Sequence, residues 1–178
     1  MKLIILDRDG VINQDSDNFI KSPEEFIPLT GSLEAITRLH HAGYLIAVAT
    51  NQSGIARGLY DIETLNLMHE KLHRMLQALG GRIDAIFFCP HGPEDNCECR
   101  KPKPGMLNDI QARFNVDLND VSVVGDSLRD LQAAQAVGAK PVLVRTGKGE
   151  RTIEKNEGLV GIPIYDDLAS YVDELLQG

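Results

Sequence analysis

The sequence has no long hydrophobic run, and it has only three cysteines. Its first apolar run, Leu3 to Leu6, has four residues, too few for the apolar stretch of a signal peptide or for a transmembrane helix. We therefore expect a cytoplasmic protein with no membrane partner. An odd number of cysteines also argues against a framework of disulfides.

Basic side chains are in deficit, because 18 Lys and Arg stand against 26 Asp and Glu, a net charge of -8. On average such a chain repels duplex nucleic acid, so we expect no nucleic-acid partner. An anionic ligand would have to be bound by a local cluster of positive groups. Glycine and proline are also sparse, at 16 plus 8 of 178 positions, which excludes fibrous and disordered classes.

The length of 178 residues predicts a single domain over residues 1–178, which we expect to be a monomer. Short β-rich runs alternate with helical patterns, which predicts an α/β fold with a doubly wound, mainly parallel sheet and helices on both faces. The predicted strands are 3–6, 44–49, 85–88, 121–124, 142–144 and 163–165. The predicted helices are 32–42, 62–79, 106–114, 128–137 and 167–176.

The first predicted strand ends in Leu6-Asp7-Arg8-Asp9-Gly10, which brings two carboxylates to its carboxyl end. Open parallel sheets bind ligands at that edge. A spacing of two can point both carboxylates the same way, so a catalytic pair is one interpretation. A simple turn is the other, because Asp and Gly are common in turns.

The second predicted strand is followed by Thr50-Asn51-Gln52-Ser53, whose hydroxyl and backbone N–H groups could bind a phosphate or cap a helix. Asp126 follows the fourth predicted strand. It could complete an oxygen-ligand magnesium site with Asp7 or cap the following helix.

A basic segment, Arg100-Lys101-Pro102-Lys103-Pro104, precedes the third predicted helix. Three cations in so acidic a chain are either a solvated face or a grip on an anion. The prolines restrict the backbone around the lysines, which reduces the entropy lost in holding a side chain toward a site.

The order of these signals is more specific than any of them alone: Asp-x-Asp-Gly, then Thr, then Lys-Pro-x-Pro, then Gly-Asp-x-x-x-Asp. In this order they resemble the haloacid dehalogenase superfamily of phosphohydrolases, over Leu3 to about Val144. The resemblance implies a doubly wound sheet with the active site above its carboxyl ends.

The resemblance also implies a role for each residue. Asp7 would form an aspartyl phosphate and Asp9 would serve as general acid and base. Thr50 and Lys101 would hold the phosphoryl oxygens. The implied magnesium ligands are Asp7, the backbone carbonyl of Asp9, and Asp126.

All three cysteines lie within one loop, which also contains a histidine. Three thiolates and one imidazole form a complete tetrahedral zinc set, which predicts a structural zinc-stabilised loop leading into Arg100 and Lys101. Three unrelated reduced cysteines are the alternative. The predicted zinc ligands are Cys89, His91, Cys97 and Cys99.

The spacing leaves no room for a large cap domain, since 50 minus 9 is 41 positions and 101 minus 50 is 51. An uncapped core with this cysteine loop resembles the branch that contains the heptose bisphosphate phosphatases of lipopolysaccharide precursor synthesis and the histidinol-phosphate phosphatases. The resemblance implies a sugar phosphate substrate, with histidinol phosphate as the alternative and a phosphorylation-driven receiver as the non-enzymatic one. The substrate-binding residues that it implies are Asp15, Ser16, Asp17, Asn18, Asn51, Gln52, Ser53 and Arg100.

The segment from His69 to His73 matches the metalloprotease pattern of two histidines around a glutamate. Helical periodicity argues against that function, because it places both histidines at or beyond the edge of the buried stripe. We therefore expect them on the surface, like His40 and His41. The predicted stripe consists of Leu65, Met68, Leu72, Leu76 and Leu79.

Overall fold

A six-stranded sheet in which every pair of neighbours is parallel forms the centre of the protein. We describe it from a computed structural model that covers all 178 residues, Met1–Gly178. The strands are β1 Lys2–Leu6, β2 Tyr44–Asn51, β3 Ala85–Cys89, β4 Ser122–Gly125, β5 Lys140–Val144 and β6 Ile164–Tyr165. The helices are α1 Ser32–His41, α2 Ile62–Ala78, α3 Gly105–Phe114, α4 Leu128–Ala136, α5 Gly149–Lys155 and α6 Leu168–Gln177.

The strand order β3-β2-β1-β4-β5-β6 reverses direction at β1, which lies between β2 and β4. Ligands of open parallel sheets bind at such a switch point, beyond the carboxyl ends of the strands. The register pairs Leu6 with Val48 on one side and with Val124 on the other. The residues that follow these three positions are therefore brought to one edge.

Side chains of β1 alternate between two separate cores, because successive residues of a strand point to opposite faces. Ile4 and Leu6 belong to the core under α1, α2 and α6. Leu3 and Ile5 belong to the core under α3 and α4. Helices on both faces, as predicted, explain why the strands read as continuous apolar runs.

The predicted α/β class and parallel sheet are confirmed. Between Asp9 and Thr50 the chain forms only α1 and β2, apart from isolated bridges, and between Thr50 and Lys101 only α2 and β3. No cap domain is therefore inserted between the motifs. None of the helices combines the length and apolar character that crossing a bilayer requires.

One helix was not predicted. The seven residues of α5 read GERTIEK and carry no apolar period of the kind that predicts a helix. Contacts with the rest of the protein hold this helix: Lys148, its N-cap, donates its backbone N–H to Asp126, and Thr152 donates its hydroxyl to the Asp126 carbonyl.

The prediction for His69 was wrong. His69 is buried, whereas His73 and His41 are exposed as predicted and His40 is half-buried. His69 is buried because the side chain of Arg8, itself entirely buried, reaches it at 3.2 Å. The prediction also placed Leu79 in the buried stripe, but α2 ends before it and the residue is 44% exposed.

Burial of His69 predicts a pH-dependent stability. Burial, followed by the positive charge of Arg8 and the neighbouring His73, lowers the pKa of His69 to about 3, against a small opposing effect of Asp9. Between about pH 6.5 and pH 3 the unfolded chain therefore binds a proton at His69 that the folded chain does not. The free energy of unfolding thus decreases as the pH is lowered through this range.

We expect the wild type to lose about 2 kcal/mol more unfolding free energy than His69→Gln when the pH falls from about 7 to about 4.5. Urea unfolding of both proteins at the two pH values measures the difference. Equal losses would show that His69 titrates normally.

Candidate active site

Asp7 continues the direction of β1 beyond its last residue. Its backbone N–H donates to the Val124 carbonyl at 2.9 Å, which ties the position to β4. The chain then turns at Gly10, where φ is +88° and where a Cβ atom would overlap the Asp126 carboxylate. Glycine is thus required both for the turn and for the approach of the two acidic loops.

Lys101 connects the basic segment to the two acidic loops. Its ammonium donates to Asp7 Oδ1 at 3.1 Å, to Asp130 Oδ1 at 2.6 Å and to the Ala49 carbonyl at 2.8 Å. The side chain is buried, and burial lowers the pKa of an amine. The charges of Asp130 and Asp7 outweigh this effect and raise the pKa of Lys101 above its usual value.

Asp130 forms a capping box with Ser127 at the start of α4. It also has a second function, because its other oxygen is the ion-pair partner of Lys101. The sequence signal was the second Asp of Gly-Asp-x-x-x-Asp, but only the fold shows which cation it meets.

Three carboxylates converge with too little positive charge between them. Oxygen atoms of Asp7, Asp126 and Asp130 all lie within 4.8 Å of one another. Burial and the charge of Asp130, opposed by Lys101, raise the pKa of Asp7 to about 7. Burial and the charges of Asp7 and Asp130 raise the pKa of Asp126 well above its usual value. Oxygen ligands and uncompensated negative charge are what a divalent cation such as Mg²⁺ requires.

Asp9 has a different environment. Burial would raise its pKa, but the Arg8 charge and hydrogen bonds from Asn13, Arg8 and Gln52 outweigh burial and lower the pKa. Gln52 donates to Asp9 Oδ2 at 3.2 Å and to the Thr50 hydroxyl at 2.9 Å. Thr50 is buried beneath this amide.

Asn51 holds the lysine loop in place. Its amide donates to the Lys101 carbonyl at 3.2 Å, and its side-chain oxygen accepts from the Lys101 N–H at 3.0 Å. This pair of bonds fixes the backbone of Lys101 to the end of β2, and Asn51 itself lines the cleft.

The converging carboxylates of Asp7, Asp126 and Asp130 line a cleft that also contains most of the predicted substrate-binding residues. Two predicted site residues, Asn18 and Thr50, do not line it. Seven cleft residues were not predicted as site residues: Phe19, Ile20, Tyr60, Ser127, Arg129, Asp130 and Lys148. No sequence signal indicated Lys148, which reaches the cleft with α5 and pairs with Asp15 at 3.3 Å. The predicted residues on the cleft wall are Asp7, Asp9, Asp15, Ser16, Asp17, Asn51, Gln52, Ser53, Arg100, Lys101 and Asp126.

The four predicted zinc ligands lie together beside this cleft, within 4.8 Å of one another. Cys89 Sγ lies 3.6 Å from both Cys97 Sγ and His91 Nδ1, and Cys99 Sγ lies 3.4 Å from His91 Nδ1. The sulfur atoms of Cys89 and Cys99 are closer together, at 2.8 Å. Bond lengths of about 2.3 Å to sulfur and 2.0–2.1 Å to nitrogen at tetrahedral angles give separations of about 3.5–3.8 Å. The donor types and three of these four separations therefore fit zinc, and the Cys89 and Cys99 sulfur atoms would have to move apart to bind it.

A family model described as HAD-hydrolase-like matches residues 98–171. Two D-glycero-beta-D-manno-heptose-1,7-bisphosphate 7-phosphatases match nearly the whole chain. The one from Bordetella bronchiseptica is 58% identical over 177 residues, which are 99% of each protein. The one from Pseudomonas aeruginosa is 55% identical over 177 residues, which are 98% of each protein.

Solved structures agree. A crystal structure of D,D-heptose 1,7-bisphosphate phosphatase from B. bronchiseptica, complexed with magnesium and phosphate, has a TM-score of 0.97 at 58% identity over 99% of each chain. The enzyme of that name from Burkholderia thailandensis has a TM-score of 0.80 at 49% identity over the whole of both chains. The chain therefore belongs to the D-glycero-beta-D-manno-heptose-1,7-bisphosphate 7-phosphatase family of HAD-like hydrolases.

Proposed function

We propose that this protein is a magnesium-dependent phosphatase that removes the 7-phosphate of D-glycero-beta-D-manno-heptose 1,7-bisphosphate through an aspartyl phosphate on Asp7. The observation that carries the proposal is the convergence of Asp7, Asp126, Lys101 and Asp130 at one edge of the sheet. The near-complete match to relatives of that name supports the substrate. We further propose that the chain acts as one domain, as a monomer, in the cytoplasm.

Asp7 is arranged to attack phosphorus with one oxygen. The Lys101 ammonium and the Arg8 backbone N–H both donate to Oδ1, which leaves Oδ2 for the substrate. An oxygen–phosphorus bond forms at Oδ2 while the bond to the sugar oxygen breaks, and its electron pair leaves with that oxygen. Water then attacks phosphorus and releases the Asp7 carboxylate with inorganic phosphate.

Asp9 moves the proton in both steps. An anionic phosphate close to a carboxylate raises the pKa of that carboxylate, which allows Asp9 to carry a proton when substrate binds. Asp9 gives this proton to the leaving sugar oxygen and then accepts one from the attacking water. The Thr50 hydroxyl accepts a hydrogen bond from the Gln52 amide, which also donates to Asp9. We propose that the Thr50 hydroxyl donates its own proton to a phosphoryl oxygen.

Asp7, Asp126 and the backbone carbonyl of Asp9 would hold Mg²⁺. The bound ion supplies positive charge that offsets the repulsion between the nucleophile and an anionic phosphate. Both oxygens of Asp130 already accept hydrogen bonds, from Lys101 and from the start of α4, so we assign it to holding Lys101.

The rim is suited to a second phosphate. Arg100, Arg129 and Lys148 line the cleft around the catalytic centre. Burial and the nearby charges of Arg129 and Arg57 lower the pKa of Arg100, so an anion placed between these cations would be stabilised. Sugar hydroxyls would be bound by the polar side chains of Asp15, Ser16, Asp17, Gln52 and Ser53, and we retain Asn18 and Asn51 as proposed contacts.

A comparison of substrates tests the function. We expect kcat/KM for the heptose bisphosphate to exceed that for histidinol phosphate by at least about 100-fold, because only the bisphosphate places a second anion among the rim cations. Phosphate release from both compounds in Mg²⁺ buffer measures the ratio. A preference for histidinol phosphate would overturn the substrate assignment.

The control for this comparison is Asp7→Asn, prepared in the same way. It lacks the nucleophile, so we expect turnover to fall by roughly 10⁴-fold or more. Its unfolding midpoint should stay at or above that of the wild type, since the change removes a carboxylate that burial and Asp130 disfavour, while Lys101 keeps Asp130 as its ion-pair partner. Wild-type-like turnover in this variant would refute the assignment of Asp7.

We also propose that Cys89, His91, Cys97 and Cys99 bind one structural Zn²⁺ that orders the loop before Arg100. The loop contacts the rim directly, since the Arg100 guanidinium donates to the His91 carbonyl at 3.4 Å. Ordering the loop therefore helps to hold the Arg100 side chain where it would bind the substrate.

Elemental analysis of purified protein should find about one zinc per chain. His91→Ala should lose zinc and show a lower unfolding midpoint and a higher KM for the bisphosphate, whereas His41→Ala, an exposed histidine on α1, should behave as wild type. Full activity and stability of a zinc-free His91→Ala protein would contradict this role.

A further inference from the structure

The side chain between the two catalytic aspartates points into the protein instead of the cleft. Arg8 is entirely buried, and its guanidinium lies 5.3 Å from the centre of the Phe26 ring. Its Nε and Nη2 atoms donate to Asp9 Oδ1 at 3.0 and 2.7 Å. Arg8 thus binds one oxygen of Asp9 from behind.

A buried guanidinium needs a partner for each end, because it has five N–H donors, no acceptor and does not lose its proton. The end that faces away from Asp9 meets α2. There Nη1 lies 3.2 Å from His69 Nε2 and 3.7 Å from Met68 Sδ. Since arginine can only donate, His69 accepts this hydrogen bond through a neutral ring, in agreement with its lowered pKa.

The orientation of the Asp9 carboxylate follows from these contacts. Asn13 donates to the same oxygen, Oδ1, at 2.8 Å, so three N–H groups hold that atom. The other oxygen, Oδ2, is left facing Gln52 and the cleft. The oxygen that must exchange a proton with the substrate is therefore selected by the group behind it.

We propose that His69 is a positioning residue: its Nε2 holds the Arg8 guanidinium so that Asp9 presents Oδ2 to the leaving oxygen. This gives the histidine of the His69–His73 pattern a function unrelated to metal binding. The inference rests on the proposed function, because it uses Asp9 as the general acid.

Substitution at this residue separates the hydrogen bond from the packing. His69→Leu keeps an apolar side chain in the core but offers no acceptor, whereas the side-chain oxygen of His69→Gln can accept from Nη1. His73→Leu is the matched control, because His73 is exposed one turn further along α2. If His69→Leu does not fold, His69→Phe takes its place as the variant without an acceptor.

Two substrates with different leaving groups distinguish a defect in the general acid from a general loss of activity. For the sugar phosphate, whose alkoxide needs a proton, we expect kcat/KM of His69→Leu to fall by about 10–100-fold. For p-nitrophenyl phosphate, whose phenolate leaves unprotonated, the loss should be about threefold or less. His69→Gln should recover most of the sugar phosphate activity, and His73→Leu should match the wild type with both compounds.

Two outcomes would overturn this inference and leave the proposed function intact. One is an equal loss for the two leaving groups, which is what a general loss of structure produces. The other is a His69→Leu protein with wild-type kcat/KM while Asp7→Asn is inactive. The proposed function itself would fail if the wild-type protein hydrolysed neither compound, which is a separate result.

Discussion

The structure depends on one buried ion pair network, in which the Lys101 ammonium lies between the carboxylates of Asp7 and Asp130. An ammonium group removed from water is costly, and leaving one partner of a buried pair without the other costs about 3–5 kcal/mol. The network therefore holds together the ends of β1 and β4 and the basic segment, which are far apart in the chain. It also keeps the charge of Lys101 at the place where we propose that a phosphoryl group binds.

Several neighbouring features support this network. Asn51 fixes the backbone of Lys101 from the end of β2, and the cysteine loop leads into the same segment. On the other side, the capping box at the start of α4 fixes Asp130. The chain thus uses ordinary backbone contacts to hold a lysine and two acids at the short separations that phosphoryl transfer needs.

The sheet and the meeting of acids at its edge were predictable because they depend on local signals. Apolar runs identify strands, and residues that directly follow parallel strands must meet at one edge, which is why Asp7 and Asp126 were placed together. The two functions of Asp130 were not separable in the sequence, since a helix cap and an ion-pair partner have the same residue type. Lys148 reaches the cleft only because α5 docks there, and α5 has no apolar period.

His69 shows a different limit of sequence analysis. Helical periodicity treats a histidine as polar and assigns it to water, yet here a buried arginine from another element supplies the partner that makes burial tolerable. Such a pair joins residues 8 and 69, and nothing near either one in the sequence indicates the other. Long-range polar contacts of this kind appear only when the fold is known.

We propose that Asp7, Asp126 and Lys101 act on one phosphoryl group around one Mg²⁺ ion. A crystal structure of the protein with Mg²⁺ and beryllium fluoride, which mimics a phosphoryl group on a carboxylate, would show whether they do. We expect the fluoride adduct on Asp7, the metal shared by Asp7 and Asp126, and the Lys101 ammonium against the fluorine atoms. An adduct on another acid, or Mg²⁺ bound away from Asp126, would contradict it.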